Sequence, residues 1–296
     1  MKIRATFSAV LLAAGLGACA ADQGTATTGN PPESSSSAAA SSASSSSSTP
    51  AASEIKLTGV EYKYDGGSST TPVPAGRVKV TLTNGGVEDH QATIVRLNDG
   101  VDLAAFAAAS DPTAAFRLVT AYGGPNTVAP GQVVSTTQVL DKAGSYLFVC
   151  FIPAADGVSH ATKGMVKPFT VTGSATDTVT APTTITATDF TYEVPGSLKS
   201  GTIALENTGA QPHELAAYKL ADDKTAADLL AFFRTPTGPP PFSSAGGLAA
   251  VAPGASASVD LKLTAGKYVF ICFIPDLAGD GTPHSAKGMV TTVTVS

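Results

Sequence analysis

Tyr146-Leu147-Phe148-Val149-Cys150-Phe151-Ile152-Pro153 returns 122 residues later as Tyr268-Val269-Phe270-Ile271-Cys272-Phe273-Ile274-Pro275. A run of aromatic and branched residues that stops at a proline reads as a buried strand running out into a loop. The match extends both ways. Downstream, Lys163-Gly164-Met165-Val166 answers Lys287-Gly288-Met289-Val290. Upstream, Asn84 lies six residues before His90, and Asn207 six before His213. A common offset of 122 to 124 residues marks a tandem duplication of one unit of about 120 residues, too long for a solenoid repeat.

The units run over residues 54–174 and 180–296, with the join between Gly173 and Pro182. Each alternates with the period of a strand: Val78, Val80 and Leu82 in one, Val259, Leu261 and Leu263 in the other, with Tyr62/Tyr64 and Phe190/Tyr192 as further pairs. Ala129-Pro130-Gly131 and Ala252-Pro253-Gly254 punctuate the strands. One helical patch interrupts each unit, over 101–109 and 225–234. About seven strands per unit predict an all-β protein of two tandem β-sandwiches, each with a short helical insertion.

The soft metal ligands are few: four His, three Cys and three Met, one of them the initiator. His90, Cys150, His160 and Met165 fall in the first unit, and His213, Cys272, His284 and Met289 in the second. These two matching sets use every histidine and all but Cys19 and Met1. Two imidazoles, a thiolate and a thioether, with no hard oxygen, form the donor set of a mononuclear copper site with a weak axial Met. Zinc is more usually held without thioether, and calcium and magnesium want oxygen. The expected cofactor is therefore copper, one ion per unit. A disulfide between Cys150 and Cys272 is the competing reading in an exported protein. It would require equivalent positions of two domains to come within about 7 Å. Two blander readings also compete: Met165 and Met289 as core filler, and the histidines as solvated loop residues.

Each unit resembles a cupredoxin, the plastocyanin-like blue copper fold. The resemblance rests on the Asn turn before the first His, on Cys, His and Met closing a distant loop, and on the five-residue step from His to Met. Asn207-Thr208-Gly209-Ala210-Gln211-Pro212-His213 is close to the family's form of that turn. It implies Greek-key sandwiches, type-1-like copper sites and one-electron transfer, with the loop histidines His160 and His284 as electron ports. Two departures stand out. The Cys-to-His steps are 10 and 12 residues, longer than in plastocyanin, and the Asn that often follows the first His is Gln91 or Glu214 here. Asn84 and Asn207 become the candidates for tying the ligand loops together. Two-domain cupredoxins also include copper nitrite reductases and small laccases, which need further His ligands. With no H-x-H and no spare His, the expectation is a carrier and not an enzyme, with copper storage or chaperoning as the alternative.

Phe151-Ile152-Pro153 and its copy are expected to wall the thiolate, Lys163 and Lys287 to be solvated, and Gly164 and Gly288 to supply a turn. The two sites are expected to differ, because Pro212 and Pro283 precede the histidines of the second while Asp89 and Ser159 do so in the first.

Lys2 and Arg4 precede an apolar run over 5–18, too short to span a bilayer and suited to a signal peptide. Leu16-Gly17-Ala18-Cys19 resembles a bacterial lipobox, which implies acylation of Cys19 after removal of 1–18. Residues 20–53, mostly Ser, Ala and Thr, read as a tether of 34 residues with a reach of roughly 30–35 Å. The expected location is the extracytoplasmic face of a membrane, held by lipid. A formal net charge of −5 argues against nucleic acid as a partner and leaves redox proteins of unidentified kind.

Overall fold

A computed structural model describes residues 52–67, 70–109 and 111–296. The expectations for residues 1–18, Cys19 and nearly all of the tether lie outside the described residues; the first strand begins at Ser53. No described helix is long and apolar enough to cross a membrane.

Among the described residues, the first repeat builds nine strands and the second eight. Alternation is faithfully expressed: in strand Gly76–Asn84 the side chains of Val78, Val80 and Leu82 are wholly buried while their neighbours are partly exposed. The helical patch of the second repeat forms as Ala226–Arg234, capped by Thr225, which exchanges hydrogen bonds with Asp228 in a capping box. That of the first shortens to Leu103–Ala107. A second helix follows at Pro112–Arg117, with Pro at its start and Asp111 Oδ1 accepting the Ala114 N–H. Only one helix is legible here in the sequence, because six residues carry too little periodicity to stand out.

Each repeat is a sandwich of two sheets, but the repeats share one of them. Strands Thr191–Glu193, Thr183–Thr188, Gly201–Asn207 and Ser256–Leu261 of the second repeat continue into Val133–Leu140, Gly76–Asn84, Ser53–Val60 and Lys63–Gly66 of the first, an eight-stranded sheet. The remaining strands form a five-stranded sheet in the first repeat and a four-stranded one in the second. At the seam of the shared sheet Thr136 faces Val259, and these occupy the same place in the two repeats. The other layer has a matching seam. Pro125 bridges Leu248, again equivalent positions, and Gly123 N–H donates to Ala250 O (2.7 Å) while Ala249 N–H donates to Gly124 O (2.8 Å). Gly124 sits at a positive φ, and a Cβ there would lie 2.1 Å from Ala92 O, so only glycine fits. Equivalent surfaces meeting in both layers make the join a pseudo-twofold interface, as in an isologous dimer.

Candidate metal centres

In the first repeat, Asn84 shapes the turn that delivers His90. Its Nδ2 donates to Glu88 O and Val128 O (both 2.7 Å), and its Oδ1 accepts the Gly86 N–H. His90 then locks to Val128 through paired backbone hydrogen bonds. Cys150 directly follows strand Lys142–Val149. The loop returns so that Ala161 N–H donates to Cys150 O, Met165 N–H to His160 O, and Cys150 N–H to Met165 O. Gly164, at φ +108°, supplies the turn before Met165, as Gly288 does at +109° before Met289. Asn207 repeats the work of Asn84, donating to Gln211 O and Val251 O. Both asparagines thus tie the histidine turn to a neighbouring strand, not to the cysteine loop.

His90, Cys150 and His160 bring one ligand atom each within 4.8 Å of one another, and so do His213, Cys272 and His284. The Nδ1 atoms of His90 and His160 lie 3.2 Å apart, and those of His213 and His284 3.1 Å. The thiol sulfur is 3.4 Å from His160 Nδ1 in the first group and 3.5 Å from His284 Nδ1 in the second. Met165 reaches the first group beside Gly59: a Cβ on that glycine would be 3.2 Å from His90 Cδ2 and 3.3 Å from Met165 Cε. All eight side chains are wholly buried. Cys150 and Cys272 are free, so the disulfide reading falls. His160 and His284 are as buried as His90 and His213.

The donor set fits a copper ion. Burial lowers the basicity of all four histidines, His284 to a pKa of about 4, so their imidazoles are neutral and offer lone pairs. Burial pushes the Cys150 thiol up to about 12 and raises Cys272 well above the ordinary thiol range, so a thiolate there calls for a cation beside it. Two neutral nitrogens facing each other at hydrogen-bond distance beside a thiol make a pocket shaped for a soft cation.

The surroundings differ between the groups. Around the first, Glu61 Oε1 lies 3.5 Å from His90 Nε2 and Glu88 Oε2 3.0 Å from His160 Nε2. Around the second, Asp189 Oδ1 lies 2.5 Å from His213 Nε2, while His284 Nε2 has no partner among the described residues. Gln211 stands where Glu88 does and instead accepts the Leu277 and Ala278 N–H groups. Asp89 turns away from its histidine and accepts a hydrogen bond from Ser244 Oγ of the second repeat. The sequence points to Asp89 and gives no sign of Glu61, Glu88 and Asp189, because which side chain faces a ring is decided by the fold. Tyr62 and Phe190 pack tilted against His160 and His284, with ring centroids 4.8 Å apart. Lys163 and Lys287 lie over those rings, held by Asp156 (2.6 Å) and Asp276 (2.5 Å), so they are bound and not simply solvated. Phe151 stacks on Phe116, and Phe273 packs edge-on against Phe233.

No family model matches the chain, and no curated protein does. Among solved structures it is similar to auracyanin from Roseiflexus castenholzii, at 23% identity and a TM-score of 0.30, over 42% of this chain and all of that one. A multicopper oxidase is similar at 17% identity and 0.23, over 82% of this chain and 88% of that one. The copper nitrite reductase of Nitrosomonas europaea is similar at 12% and 0.26, over 83% and 94%. These are likenesses of fold. The fold is tandem cupredoxin-like, mostly β, with two candidate His/Cys/His groups suited to copper. The expectation that the chain is not an enzyme is corrected: the solved structures similar to it include multicopper oxidases and copper nitrite reductases, which are enzymes.

Proposed function

We propose that this chain binds two copper ions, one in each repeat, and carries single electrons between redox proteins. The observation that carries the reading is the paired, fully buried His-Cys-His set with a methionine behind it, found at equivalent places in both repeats. Copper so held supplies a one-electron couple. The protein's part is to fix the ligands on strand ends and hydrogen-bonded loops, so that little rearranges when charge changes, and to keep water from the sulfur. We further propose that acylated Cys19 tethers the chain to the extracytoplasmic face of a membrane. Partners would be proteins and not nucleic acid, given the net charge of −5.

The test is metal content and colour. The copper-loaded chain is expected to bind two ions and to show an intense thiolate-to-Cu(II) band on oxidation. Cys150→Ser and Cys272→Ser should each remove one ion's share of it, and both together all of it. A full band in the double variant would sink the reading. Steady turnover of a reducing substrate with oxygen or nitrite would replace the carrier by an enzyme.

A further inference from the structure

Glu214 follows the ligand His213 and is buried, where a buried carboxylate needs partners on both oxygens. One partner lies at the metal loop: Oε1 accepts the N–H of Phe273, the residue after Cys272 (2.8 Å). The other comes from the opposite repeat: Oε2 accepts from Nδ2 of Asn126 (2.9 Å). Asn126 is itself held in the seam, its N–H donating to Gly247 O and its Oδ1 accepting the Thr127 N–H. A second contact reaches the same loop further on, where Arg117 Nη2 donates to Leu277 O (2.9 Å).

The first centre has no such arrangement. The equivalent of Asn126 is Ala249, which has no side-chain donor. The equivalent of Glu214 is Gln91, whose Nε2 donates to Thr93 Oγ1 two residues further on in its own repeat (2.7 Å). The pseudo-twofold interface is thus broken at this point, in favour of one centre.

We infer that the first repeat completes the second metal centre, with Asn126 as the positioning residue that holds Glu214 against the start of the Cys272–His284 loop. Asn126 touches no ligand. It acts by fixing a carboxylate that spans from the histidine strand to the cysteine loop, in the role the family gives to the residue after the first His. This rests on the copper reading of His213, Cys272, His284 and Met289.

The test uses the full chain in two backgrounds, Cys150→Ser to isolate the second centre and Cys272→Ser to isolate the first. Asn126→Leu keeps the volume and removes the donor. In the first background it should weaken copper binding about tenfold, the scale of one buried hydrogen bond, and shift the charge-transfer band. In the second background both should stay as they were. Without metal, labelling of the Cys272 thiol by a disulfide reagent should quicken about tenfold as the loop loosens, while that of Cys150 stays unchanged. Asn126→Asp with Glu214→Gln exchanges donor and acceptor and should restore band, affinity and labelling rate together. Equal effects at both centres, no effect at either, or no rescue would each overturn the inference. If the Cys150→Ser protein takes up no copper, the copper reading fails, and the metal-free labelling still decides the role of Asn126.

Discussion

Thr136 and Val259 hold the same place in the two repeats and are cross-strand partners of each other. The pseudo-twofold axis therefore passes between them. Gln132 and Ala255, which receive the Asn84 and Asn207 turns, lie four residues from the axis in opposite directions. At about 3.3 Å per residue they stand roughly 26 Å apart along the strands. The turns that deliver His90 and His213 thus open at opposite ends of the shared sheet.

A continuous sheet through the seam should make the repeats unfold together. One cooperative denaturant transition is expected for residues 54–296, with both metal-free repeats lost at the same midpoint. Val259→Asp, which buries an unpaired charge at the axis, should lower stability by at least about 3 kcal/mol and split or broaden that transition. Two separate transitions in the unaltered protein would refute the coupling.

Charge near the ligands should lower the potential of the first centre, through Glu88 and Glu61 more than through Asp89. Cu(II) carries one more charge than Cu(I), so a carboxylate favours the oxidised form. At roughly 6–8 Å and an effective dielectric near 20 this bias is about 2–3 kcal/mol before screening, and the partial exposure of Glu88 reduces it further. In the Cys272→Ser background, Glu88→Gln is expected to raise the potential, and by more than Asp89→Asn, whose carboxylate is turned to Ser244. A fall, or the reverse ranking, in a redox titration would dismiss the argument.

Gly59 and Ala187 face equivalent asparagines across the parallel strand pairs. Gly59→Ala would press a methyl against His90 and Met165, forcing a shift of a few tenths of an ångström. The charge-transfer and EPR signals of the first centre should move, and metal-free stability should fall by about 1–3 kcal/mol if the loop cannot yield. The second centre should not respond. Unchanged spectra at the first centre would remove Gly59 from the account.

Acid should destabilise the metal-free protein through its histidines. Their folded pKa values are lowered by burial, so the unfolded chain binds more protons below about 6.5. The stability from neutral, buried imidazole is complete above that pH and is lost as pH falls. Each histidine contributes a slope of up to about 1.4 kcal/mol per pH unit. Denaturant midpoints of the metal-free chain should drop between pH 7 and 5, and at least as steeply once copper is bound, because copper keeps its ligands deprotonated in the folded state. A flat profile would count against buried neutral imidazoles.

Cys19→Ala should abolish incorporation of labelled fatty acid and free the protein from membranes. Continued labelling in that variant would disprove the anchor.

The sequence by itself determined the repeat, the strands and the eight ligand candidates. Local alternation is written residue by residue, and so few His, Cys and Met are present that their order sorts them into two sets. Gly164 and Gly288 were legible for the same local reason, since a turn before each Met needs a positive φ. Only the tertiary structure decided how the repeats join, because edge strands such as Val133–Leu140 and Ser256–Leu261 carry no mark of which edge they will meet. It also decided the surroundings of the metal groups. Glu88 and Asp89 are adjacent in sequence, yet one faces His160 and the other turns to Ser244. Glu214 finds Asn126 from 88 residues away. Contacts between distant segments are set by packing, and a charge or hydrogen bond acts on a metal centre only where packing has put it.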